Sequence, residues 1–274
     1  MAYTKDEILE QIKNVGILGL YDAPCVKTKG ETEIVEENEK SVPYTEVVAE
    51  WVLKNINSFA SRETFVTIDR DDYYVSDKNK KKVKDAPKEK KKVLNKDRKE
   101  DEDWDEEWIA KFMYNDGKND YDSVGHIFCC QVPLQRPKGN KNETPEEAQK
   151  REQENAGVGN IDMVSYDGKN VYLLELKKRT NTTDSLLRSA LEVFKYWKHL
   201  NHTNFRNSYY KYIGMSLTVP IIPAILIFKD SLQQDQYNSQ NYDSTRELIK
   251  RLGIKVFLAE EIGHQKYSIE EAKD

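Results

Sequence analysis

The chain has 274 residues, 38% of them hydrophobic and 33% charged. This is enough apolar mass for one substantial core, and 16 Tyr, 8 Phe and 4 Trp make the chain too aromatic to be disordered throughout. Its 43 basic and 48 acidic side chains give a net charge of -5, which excludes attraction of nucleic acid by a whole-molecule basic field and leaves only a local groove.

The longest apolar stretch, 219–228 (VPIIPAILIF), is ten residues with two prolines, short of the roughly 20 that span a bilayer. No membrane partner is expected. Lys5, Asp6 and Glu7 stand where a secretory leader needs a basic start and an apolar run, so none is expected. Cys25, Cys129 and Cys130 form an odd set without metal-ligand spacing and suit reduced thiols in a cytoplasmic protein.

In chain order, Thr4 and Glu7 form a capping box for a short first helix bearing Ile8, Leu9 and Ile12. Residues 21–40 read as loop. Ser41 caps a second helix over 43–57, with Val47, Val48, Trp51, Val52 and Ile56 at helical spacing. Phe65 to Ile68 reads as a strand. A lysine-rich run from 77 then gives way to the acidic block EDEDWDEE at 100–107, together a solvated insertion. Asp103 and Glu106 cap a helix bearing Trp108, Ile109, Phe112 and Met113.

From Ser123 the pattern changes to strand (VGHIFCCQVPL), followed by a polar excursion over 137–160 in which Thr144, Pro145 and Glu147 start a surface helix. The run NIDMVSYDGKNVYLLELKKR is a hairpin signal, two β-rich segments flanking Asp167-Gly168-Lys169-Asn170. Thr183 or Asp184 caps a long helix with Leu187, Ala190, Leu191, Phe194, Trp197 and Leu200 on one stripe. A strand at Ala224–Phe228, a helix over Thr245–Leu252 ended by Gly253, and a strand at Ile254–Leu258 complete an α/β arrangement. We read residues 1–274 as a single domain, with a helical portion over 1–120, its charged insertion at 77–107, and an α/β core over 121–260.

The residues that carry chemistry lie in the hairpin. Period-2 alternation puts Glu175 and Lys177 on one face of their strand, and a turn near Gly168 brings Asp162 opposite Glu175 to within a residue or two. Two carboxylates so placed suit Mg²⁺ or Mn²⁺, which prefer oxygen ligands. Glu175 is embedded in the apolar run VYLLEL, where an unpartnered carboxylate is costly, so the run itself argues for a cationic partner. Whether Lys177 orients a water, stabilises charge or acts as general base is open at this stage.

Ile161-Asp162, twelve residues, then Glu175-Leu176-Lys177 resembles the active-site signature of the restriction-endonuclease-like PD-(D/E)xK nuclease superfamily. The resemblance implies a mixed sheet flanked by helices and divalent-metal-dependent cleavage of nucleic acid, DNA in most of the family. It makes Asp162 and Glu175 metal ligands and Lys177 the catalytic lysine, with Ile161 where the motif has proline. An upstream helical glutamate often joins that site: Glu50 is the first choice, then Glu46 and Glu107. Some relatives place Gln and Tyr on the following helix, where this chain has Glu192 and Tyr196.

Gln131 on the entering strand, together with Lys178, Arg179 and Arg188, forms the expected nucleic-acid contacts. His126, His199, His202 and His264 lack zinc-site spacing. A homodimer would suit a double-strand cut. The alternative for the same residues is a nucleic-acid-binding or interaction module on a nuclease-like fold with little or no catalysis.

Overall fold

The computed structural model describes residues 3–27, 34–37, 40–58, 67–68, 70–73, 104–115, 120–137 and 143–273. The lysine-rich run, the first half of the acidic block (100–103, with Asp103) and the first half of the strand expected at Phe65–Ile68 lie outside these residues. Of that strand, residues 67–68 are described, without strand structure. No helix among the described residues is long and apolar enough to cross a membrane.

The centre is a seven-stranded mixed sheet. Its strands are β3 (Asp120–Tyr121), β4 (Gly125–Pro133), β5 (Asn160–Tyr166), β6 (Val171–Lys177), β7 (Ile221–Phe228), β8 (Lys255–Gly263) and β9 (Lys266–Glu271), side by side in chain order. The segment from β3 to β6 is antiparallel. Strands β6, β7 and β8 run parallel, and β9 returns antiparallel along the edge. A separate hairpin, β1 (Ile34–Glu37) with β2 (Lys40–Pro43), occupies part of the expected 21–40 loop.

The hairpin between β5 and β6 closes as its sequence requires. Asp167 Oδ1 accepts the backbone N–H of Lys169 at 2.7 Å and of Asn170 at 2.6 Å, while Gly168 takes φ 92°, a left-handed geometry that glycine adopts without a Cβ penalty.

Nine helices of the described residues matter here: α1 (Lys5–Ile12), α2 (Ile17–Leu20), α3 (Tyr44–Lys54), α4 (Glu106–Asn115), α5 (Pro145–Asn155), α6 (Leu186–His199), α7 (His202–Ile213), α8 (Leu232–Asn238) and α9 (Asp243–Arg251). The expected capping boxes of α1 and α5 form, and Gly253 follows α9 with φ 69°.

Two starts move by one or two residues. Ser41 lies in β2 and α3 begins after Pro43, because the hairpin strand runs up to the helix. Ser185, not Thr183 or Asp184, caps α6, since Asn181 Oδ1 takes the backbone N–H groups of both Thr183 and Asp184. Helices α7 and α8 and strand β9 are additions to the expected order.

The sheet is covered on both faces. Alternation in β6 sends Val171 and Leu173 to one side, into a core shared with Ile225, Ile227, α1, α3, α6 and α7. Tyr172, Leu174 and Leu176 face the other side, where Leu226, Phe257 and the aromatic stripe of α4 meet them. Central strands buried on both faces explain the nearly unbroken apolar runs of β6 and β7.

Candidate functional site

Strands β5 and β6 pair regularly as far as Met163 and Leu174. Continuing that register sets Asp162 opposite Glu175. Here a side chain replaces the ladder: Asp162 Oδ2 accepts the backbone N–H of Leu176 at 2.9 Å. Its Oδ1 accepts from Gln131 Nε2 at 3.1 Å, so β4 holds the other oxygen. Gln131 has φ 53°, a left-handed conformation costing a non-glycine residue about 1 kcal/mol. The side chain expected to contact nucleic acid therefore orients Asp162.

Glu175 and Lys177 follow on β6, only 5% and 3% exposed. Lys177 Nζ lies 2.8 Å from Glu175 Oε1 and 2.8 Å from Glu192 Oε2, with Asp184 Oδ2 at 3.6 Å. The second oxygen of Glu175, Oε2, is buried without a hydrogen-bond partner. Asp184, Arg188, Glu192 and Tyr196 recur every fourth residue, so one face of α6 and the residue before its cap supply the rest of the cluster. Glu192 Oε1 accepts from the hydroxyls of Tyr21 at 2.9 Å and Tyr196 at 3.0 Å.

The titrations follow from this crowding. Burial, helped by the charges of Glu106 and Glu192, pushes the Asp162 carboxyl up to about 7 against the pull of Lys177 and the Leu176 amide. Burial and the neighbouring Asp162 charge hold Glu175 well above the usual carboxylate range. Burial alone would lower Lys177, but Glu175, Glu192, Glu106 and Asp184 outweigh it and hold the ammonium well above its ordinary value. Burial would raise Glu192, yet the Lys177 charge and the hydrogen bonds it accepts keep it below the usual range. Lys177 is thus held as a cation by the carboxylates around it.

The upstream glutamates are distributed differently from expectation. Glu50 pairs with Lys54 along α3. Glu46 accepts the backbone N–H groups of Ser244 at 2.9 Å and Thr245 at 2.7 Å, capping α9. Glu107 pairs with Lys111. None of the three is brought to Asp162.

Glu106 is the residue that reaches the site, accepting from Lys178 N at 3.1 Å and Asn181 Nδ2 at 2.9 Å. Asn181 also donates to Asp184 at 3.1 Å, tying α4 to the loop before α6. Lys178, Thr180, Asn181, Asp184 and Glu106 line an open cleft of about 420 Å³.

The expected cationic edge is not assembled. Arg179 is buried, donating to the Lys229 carbonyl and to Asp230 with its guanidinium 5.4 Å from the Phe228 ring. Arg188 pairs with Asp184 and lies 5.1 Å from the Tyr21 ring. Lys178 alone of the three lines the cleft. Sequence reasoning missed Glu106, Asn181, Asp184 and Tyr21 as members of the cluster. The four-residue spacing of 184, 188 and 192 was a readable signal for the second half of it.

Oxygen donors exceed cations here, a setting in which a proton shared with Glu192 or a divalent cation would relieve Glu175. Among the described residues no group of three or more His, Cys, Asp or Glu is arranged to hold a metal; Asp162 and Glu175 are the two carboxylates that would have to hold one, with water completing the shell. Compared with models of known protein families, with curated proteins and with solved structures, the chain finds no match.

Proposed function

We propose that the chain hydrolyses phosphodiester bonds of nucleic acid, with DNA the expected substrate, using Mg²⁺ or Mn²⁺ held by Asp162 and Glu175. The observation that carries this reading is the buried, over-acidic meeting of Asp162, Glu175 and Lys177 with Glu175 Oε2 left unpartnered. The mixed sheet, antiparallel through β6 and then parallel, supports reading it as a restriction-endonuclease-like core.

A divalent ion held there would lower the pKa of a bound water and offset the charge of phosphoryl oxygens. The protein's own groups do the rest. Gln131 and the Leu176 amide aim Asp162. Lys177 presents a permanent positive charge for a developing phosphoryl charge. Glu106 and Asn181 fix the cleft through which a strand would approach. The three buried cysteines suit a reducing, cytoplasmic setting.

The test is cleavage of linear, nicked and branched DNA and of RNA in Mg²⁺ and in chelator. Cleavage is expected only with metal, and D162N and K177A are each expected to lower it at least about 100-fold. Cleavage that persists in both variants ends this reading.

One observation favours a binding module instead: Lys177 already pairs with both Glu175 and Glu192, giving these carboxylates an internal cation. On that reading nucleic-acid binding survives chelator and D162N, and no substrate is cut.

A further inference from the structure

The cluster contains more than the proposed metal site uses. Lys177 divides its ammonium between Glu175 Oε1 and Glu192 Oε2, each at 2.8 Å. Glu175 is also a carboxylate that a metal must share. Like charges repel strongly in a buried setting, so an ammonium drawn wholly onto Glu175 would exclude a second cation there.

Glu192 offers the alternative partner, and its position is elaborately fixed. Its other oxygen accepts two hydroxyls. The Tyr21 ring is flanked by Arg188 at 5.1 Å and Lys195 at 5.3 Å, and these cations are themselves paired with Asp184 and Asp22. Tyr196 reaches Glu192 past Gly159, where a Cβ would stand 2.7 Å from its hydroxyl oxygen. Both oxygens of Glu192 are therefore already engaged, which argues for a role exerted through Lys177.

We propose that Glu192 is a positioning residue that keeps the Lys177 ammonium off the cation position at Asp162 and Glu175, with Tyr21 and Tyr196 holding Glu192 for that purpose. This rests on the metal-binding reading above. It also gives the N-terminal segment a part in the site, because Tyr21 comes from just beyond α2.

The test is calorimetric titration of Mn²⁺ into the full chain, with a thermal melt on each variant to verify folding. E192Q is expected to bind about tenfold more weakly than the parent chain, as expected for a residue acting behind a metal ligand. Y21F, a milder change that removes no charge, should lose about threefold through one hydrogen bond.

In a K177M background both losses should shrink below about twofold, because the residue through which they act is gone. Equal losses with and without Lys177 would make Glu192 a direct ligand and overturn the proposal, as would unchanged affinity in E192Q and Y21F. If K177M or E192Q fails to fold, Y21F and Y196F in the parent chain decide, and unchanged affinity in both overturns it. A parent chain that binds no Mn²⁺ removes the metal reading and this inference together, a result distinct from binding without coupling.

Discussion

The carboxyl of Asp162 titrates near 7 in the fold and near 4 in an unfolded chain. A raised acid binds a proton more tightly when folded, so its contribution to stability is full below about pH 4 and is lost as pH climbs through about 7. In chelator the protein should therefore lose stability across that window. D162N, neutral throughout, should flatten the slope, and urea unfolding from pH 4 to 8 checks this. Identical slopes would show that Asp162 is not held up by burial. The same proton competes with a metal, so Mn²⁺ affinity should rise with pH through about 7. Glu106 illustrates what a sequence conceals at this scale. The acidic run offers Glu106 and Glu107 side by side, and on a helix one residue turns the side chain by about 100°. Without a fixed helix start, nothing in the run says which glutamate faces the sheet.

Among the elements, α3 carries the clearest contrast between an expected role and an observed contact. Glu46 caps α9 with two backbone hydrogen bonds, so E46A should cost about 1–2 kcal/mol of stability and leave Mn²⁺ affinity unchanged. E50A, which removes only a surface pair with Lys54, should change stability by less than about 0.5 kcal/mol. Paired urea melts and titrations distinguish these from a site role, which would lower metal affinity. The β5–β6 hairpin was legible because turn chemistry and alternation agree, and both depend only on neighbouring residues. Helix α7 (HTNFRNSYYKYI) was not, since its buried Phe205 and Tyr209 are two apolar positions in a mostly polar segment, and the adjacent Tyr210 blurs the stripe. Strand β9 (KYSIEE) is half charged, and only its place beside β8 makes it a strand. The Glu46 contact spans 198 residues to Ser244, a distance over which no local pattern carries information.

At the scale of the molecule, a net charge of -5 and an acidic cleft predict weak binding to nucleic acid without metal. Affinity for a short DNA duplex, followed by fluorescence anisotropy with the cleavage-deficient K177A chain, should rise at least about tenfold on adding divalent ion and fall with salt. Tight binding in chelator would place the contacts elsewhere. The described helices leave both sheet faces covered, so on the proposed reading nucleic acid would approach at the ends of the strands, where Asp162, Lys177 and the 178–184 loop lie. The two faces also carry built-in reporters. Cys129 and Cys130 are neighbours in β4, both buried, and the pleat sends the first into the core beneath α6 and α7 and the second into the core beneath α4. Pulsed alkylation followed by mass spectrometry, with Cys25 replaced by Ala, would time the opening of each layer separately from thiols one residue apart.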